Sequence, residues 1–163
     1  MLDDQGPAGL QVDDLTKEDL PLLGWSGSAT HLASVGRALD RVDSREVEYL
    51  AVRAPSGEPI AKGGIDYAVK PGAGTMFQVA TAPELQSRGI GAHLVAVAEE
   101  HMRKRGVLTA ELAVEDNNPG ARALYERLGY REAGRESASW DREDAEGNLT
   151  RYETELVVLR KDL

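Results

Sequence analysis

The chain has 163 residues, 41% hydrophobic and 29% charged, with a net charge of −9. That size and balance suit one soluble globular domain with its own core, expected to span residues 1–163. The absence of cysteine excludes disulfides, thiolate metal sites and a cysteine acyl-enzyme. The acidity gives solubility first and an attraction for cationic amines second, and it disfavours a nucleic-acid partner, which needs a basic stripe. His31, His93 and His101 have no metal-ligand spacing, so no metal is expected. No apolar run is long enough to span a bilayer and no secretory leader is recognised, so no membrane partner is expected and a cytoplasmic place is.

Residues 1–9, with Asp3, Asp4, Gly6, Pro7 and Gly9, read as a flexible tail. Residues 10–15 suit a first strand. Thr16 is placed to cap a short helix, with Asp19 at its third position and Pro21 early in the turn. Leu32, Val35, Ala38, Leu39 and Val42 recur at helical spacing and predict an amphipathic helix over residues 28–42. The link before it carries Leu22, Leu23 and Trp25, more apolar than a solvent loop, which seat the helices on the sheet. Residues 47–53 and 59–69 read as a hairpin around Pro55-Ser56-Gly57-Glu58, and residues 75–81 as the next strand.

Gln86-Ser87-Arg88-Gly89-Ile90-Gly91-Ala92 lies where that strand gives way to a helix running to about Arg105. A helix start leaves about four backbone N–H groups without partners and carries partial positive charge. Glycine permits close approach of an anion, so the loop suits a pyrophosphate, with Arg88 adding a full charge. Ile90, Leu94, Val97, Ala98 and Met102 share one face of the helix; Glu99, Glu100, Arg103 and Lys104 are expected away from it. Gly106 stops the helix and a strand follows, with Glu111 near its start. Asn118 caps the next helix, Pro119 fits its first position and Gly129 closes it. Ala121, Leu124, Tyr125 and Leu128 share a face, which turns Tyr125 inward. A strand to about Trp140, a polar loop over residues 141–148 and a last strand over residues 151–160 complete the chain. The strand–helix–strand unit makes two strands parallel and the hairpins are antiparallel, so the sheet is mixed.

Q-x-x-G-x-G at Gln86 to Gly91, followed by N-x-x-A-x-x-L-Y-x-x-x-G-Y at Asn118 to Tyr130, resembles the GNAT superfamily of acyl-CoA-dependent N-acetyltransferases. The resemblance implies an α/β fold: a mixed, mostly antiparallel sheet of about six to seven strands flanked by about four helices. It implies transfer of an acetyl group from acetyl-CoA to a primary amine of a small molecule or peptide, by direct attack in a ternary complex. The coenzyme would be held by the loop residues and Ala92, by Asn118, and by strand backbone near Val79 and Thr81. Tyr125 would protonate the departing sulfur.

Many superfamily members carry a glutamate on the strand before the glycine loop, and residues 75–81 contain no carboxylate. Glu111 and Asp66 are alternative bases; a water chain or an amine of low pKa would also serve. The missing carboxylate keeps a non-catalytic acyl-CoA sensor in view, and the loop alone also fits another phosphate-bearing ligand such as a nucleotide. Exposed sheet edges would allow a homodimer.

Overall fold

The computed structural model describes residues 7–163. Seven strands form one mixed sheet in the order β1-β2-β3-β4-β5-β7-β6. They are β1 (Val12–Asp14), β2 (Val47–Arg53), β3 (Pro59–Asp66), β4 (Ala73–Thr81), β5 (Thr109–Glu115), β6 (Arg131–Glu143) and β7 (Leu149–Asp162). Among the described residues only β4 and β5 pair in parallel. Three α-helices flank the sheet: α1 (Ala29–Leu39), α2 (Ile90–Lys104) and α3 (Pro119–Arg127). The expected short helix after Thr16 is a 3-10 segment, Lys17–Leu22. Its start is held by the Asp19 carboxylate, which accepts from the Thr16 N–H at 2.9 Å. Arg53 of β2 grips both oxygens of that carboxylate, at 2.9 and 3.0 Å, and holds its pKa below the ordinary value. No helix among the described residues is long and apolar enough to cross a membrane.

Alternation along β2 divides the core. Tyr49 and Ala51 pack with Leu15, Leu23, Val35, Ala38 and Leu39 on the α1 side. Leu50 and Val52 pack with Ile65, Met76, Ile90, Leu94 and Met102 on the α2 side. Tyr125 of α3 and Tyr130 join this second cluster and meet edge-on, their ring centroids 5.7 Å apart.

Four expectations need correction. Residues 1–6 of the expected tail lie outside the described residues, whereas Pro7–Gly9 form a 3-10 turn and Leu10 is buried. His93 of α2 bonds the Leu10 carbonyl at 3.1 Å, tying that turn to the helix. The first strand shortens to three residues, Val12–Asp14, with Leu10 and Leu15 buried on either side of it. The charged stretch 141–143 is strand, with Asp141, Arg142 and Glu143 opposite Arg151, Thr150 and Leu149. The turn is only residues 144–148, fixed by the Asp144 carboxylate accepting from the Glu146 and Asn148 amides. Asp141 and Arg142 and the residues opposite them are exposed, so charge there costs little and gives no sign of strand. Finally, Glu99 is buried, accepting from the Tyr130 hydroxyl at 2.7 Å and from Lys161 at 3.0 Å. These two hydrogen-bond partners come from beyond α2, out of reach of helical periodicity.

The feature that shapes the site is a bulge in β4. Lys62 pairs with Ala80 and Gly64 with Phe77, so Gln78 and Val79 together oppose Gly63. Gln78 has a positive φ of 54°, and the strand turns half-exposed from Phe77 onward. Two glycines admit the distortion. A Cβ on Gly63 would stand 3.0 Å from the Val79 side chain, and one on Gly64 only 2.4 Å from the Phe77 ring. Gly64→Ala should therefore destabilise the protein by about 1–3 kcal/mol. Chemical denaturation checks this, and a Gly64→Ala, Phe77→Leu double variant should recover part of the loss.

Candidate active site

β4 and β5 pair only from Ala73↔Thr109 to Thr75↔Glu111 and then diverge. Beyond Thr75, β4 keeps its partner β3 on one side and has no ladder on the other, while β5 turns to β7 along its whole length. A strand edge from Met76 to Thr81 thus presents backbone donors and acceptors to an extended ligand. Because the two strands are parallel, their carboxyl ends lie at one end of the sheet, and α2 and α3 both begin there.

After Thr81 the chain makes a 3-10 turn, Pro83–Leu85, and enters the glycine loop. Gln86 reaches back to donate to the Thr81 carbonyl at 3.2 Å. Ser87 and Gly89 have φ of 64° and 84°, and Gly89 caps α2. The first intrahelical bond is His93 N–H to Gly89 O, leaving the Ile90, Gly91 and Ala92 amides at the helix start. No acidic residue occupies that first turn. Arg88 is exposed and forms no ion pair among the described residues. Ile90 points into the core and anchors the turn, while Gly91 lies against Thr81, with 3.5 Å from a built Cβ to its hydroxyl. The loop residues and the end of β4 therefore form one surface.

Asn118 follows β5 and caps α3, its side-chain oxygen accepting from the Ala121 N–H at 3.2 Å. Tyr125 is buried in the cluster that holds Ile90, Leu94 and Val114. Its hydroxyl has no hydrogen bond among the described residues, and burial pushes its pKa up to about 12. The phenol stays protonated near neutrality and is available as a proton donor.

Glu111 is not brought to this place. It faces Thr75 at the amino end of the parallel pair, six residues or about 20 Å of strand from Thr81. It is buried, bonded by Lys70, and held by Arg160 through Nε at 3.0 Å and Nη2 at 2.8 Å. Burial alone would raise its pKa, but these cations hold it below the ordinary value. A carboxylate so engaged is a poor proton acceptor, and its geometry is that of a strut tying β5 to β7. Asp66 is similar: it pairs with Thr75, accepts from Arg41 at 2.8 and 3.2 Å, and is also held low despite burial.

Sequence reasoning missed the polar cluster behind the bulge. Lys62 is fully buried and donates to the Gln78 carbonyl at 2.8 Å. Tyr49 donates to the Gln78 side-chain oxygen at 2.9 Å, and the Gln78 amide donates to Ser34 of α1 at 3.0 Å. Burial lowers the Lys62 pKa to about 8. A lysine followed by two glycines inside an otherwise apolar strand was the available signal.

The Acetyltransferase (GNAT) family profile matches residues 14–130. The chain belongs to this family. Over 59 residues it is 42% identical to the ribosomal protein bS18-alanine N-acetyltransferase of Salmonella typhimurium, covering 36% of this chain and 40% of that enzyme. The chain thus spans well under half the length of the curated relatives it matches. The fold is shared with the ribosomal-protein-alanine N-acetyltransferase of Brucella melitensis, with a TM-score of 0.73 at 20% identity over 94% of this chain and all of that one. It is shared equally with the spermidine N-acetyltransferase of Vibrio cholerae solved with CoA and spermine, with a TM-score of 0.69 at 17% identity over 94% and 95% of the two chains. The GNAT fold places the seven-stranded mixed sheet and its glycine loop in a family context.

The lowered Lys62 pKa makes a signed prediction. The folded state favours the neutral amine, so the cost of burying the charge is full below about pH 8 and disappears as pH rises towards 10.5. Wild-type stability relative to Lys62→Met should therefore rise by roughly 1–3 kcal/mol across that window. Denaturant unfolding of both proteins at pH 7.5 and 10.5 measures it.

Proposed function

We propose that the chain is a single N-acetyltransferase domain that moves an acetyl group from acetyl-CoA to a primary amine of a small molecule or peptide. The observation that carries this reading is the conjunction, at one end of the sheet, of an unpaired β4 edge with a glycine-capped helix start. A pyrophosphate fits the amides of Ile90, Gly91 and Ala92 with Arg88 beside them, the loop backbone of Gln86, Ser87 and Gly89 shaping the approach. A pantetheine arm, with its amide groups, fits the β4 edge near Val79 and Thr81 as a missing strand partner would. Asn118 caps α3 with its oxygen and keeps its amide hydrogens for the coenzyme.

The chemistry follows. The acceptor amine must be neutral to attack the thioester carbonyl. Attack forms the C–N bond and a tetrahedral oxyanion, which donors on the β4 edge stabilise. Collapse breaks the C–S bond, and Tyr125 supplies a proton to the departing thiolate. The amine proton leaves through water, because Gln78 stands as an amide at the bulge and Glu111 is locked in its ion pairs. The enzyme names of the relatives favour catalysis over a non-catalytic acyl-CoA sensor. They name acceptors as different as a ribosomal-protein alanine and spermidine, which supports an amine acceptor without choosing one. The exposed edge of β6 would let two copies pair as a homodimer.

Calorimetric titration should show acetyl-CoA binding that an Arg88→Ala, Gly91→Trp double variant loses. A folded wild type that does not bind would overturn the reading. Tyr125→Phe should keep the affinity for acetyl-CoA and lower kcat by roughly 10- to 100-fold. Glu111→Gln should lose stability, through two cations left without their partner, yet keep kcat within about threefold.

A further inference from the structure

The bulge that opens β4 has no covalent or prolyl constraint; its shape rests on hydrogen bonds. Gln78 is a non-glycine residue at a φ of 54°, a conformation that side chains of L residues rarely adopt. Three groups from three elements converge on it. Lys62 of β3 donates to its carbonyl at 2.8 Å, Tyr49 of β2 to its side-chain oxygen at 2.9 Å, and its own amide reaches Ser34 of α1 at 3.0 Å. Lys62 has no carboxylate partner among the described residues. It faces the Tyr49 ring, 5.9 Å from its amine, and His31 of α1, whose pKa is lowered by its own burial and then by the lysine. A buried amine without a counter-ion costs stability, so apolar packing alone does not account for it.

We propose that Lys62 is a positioning residue for acyl transfer: by holding the Gln78 carbonyl back against β3, it fixes the bulge and turns the backbone of Val79–Thr81 towards the thioester. The inference rests on the acetyl-transfer reading for its kinetic part and on the bulge alone for its structural part. In that reading most of the coenzyme affinity comes from the helix start and the loop at 86–92, the pantetheine arm adding contacts along the β4 edge, whereas the transition-state contacts come from that edge alone. Removing Lys62 therefore separates the two.

Lys62→Met keeps the length and apolar stem of the side chain and removes the donor. The variant is expected to remain folded, with a melting temperature at pH 7 no lower than wild type. Its acetyl-CoA dissociation constant should stay within threefold while kcat falls at least 30-fold. Amide hydrogen exchange without ligand should be at least tenfold faster across residues 77–81 and unchanged in α2. A variant that retains wild-type kcat and wild-type exchange overturns the proposal. So does one that loses stability and coenzyme binding along with turnover, since that pattern marks a merely structural lysine. If wild type binds no acetyl-CoA, the acyl-transfer reading fails by itself, and the exchange arm alone decides whether Lys62 holds the bulge.

Discussion

β4 pairs with β5 for only three residues, Ala73 to Thr75. Everything at the site depends on that limit. Past Thr75 the strand keeps β3, loses β5, and takes an extra residue at Gln78 and Val79. A backbone with one free edge must find partners in water or in a ligand. An extended thioester arm with amide groups is a chemically matched partner, and in the proposed reading the glycine loop that follows holds the charged end of the same molecule.

The electrostatics serve this arrangement locally rather than globally. The protein carries a net charge of −9, which works against any anion approaching it. In the proposed reading the coenzyme end offsets that field with a helix start free of acidic residues, together with Arg88. At the other end of the parallel pair, Glu111 and Asp66 are consumed by Lys70, Arg160 and Arg41. The two ends of one strand pair thus divide the work, ion pairs closing one and unpaired backbone opening the other.

Much of this was legible in the residues. Local rules sufficed for the three helices and most strand positions, because capping at Asn118, apolar spacing in α2 and the turn at Pro55–Glu58 act over a few residues. The glycine loop was visible because the physics of a helix start is local. What escaped depends on distant partners. The burial of Glu99 is set by Tyr130 and Lys161, and the ion pairs of Glu111 by strands and turns elsewhere in the chain. The bulge is an agreement between Lys62-Gly63-Gly64 on one strand and Phe77-Gln78-Val79 on another, which neither stretch announces by itself. The charged end of the β6–β7 ribbon misled for a simpler reason: a ribbon solvated on both faces has no alternation to read.

The most direct measurement is residue-resolved amide hydrogen exchange with and without acetyl-CoA. The account predicts added protection at Val79–Thr81 and at Ile90–Ala92, with the β6–β7 ribbon unchanged. Exchange unaltered at both segments at saturating acetyl-CoA, or protection appearing only on the ribbon, would contradict it.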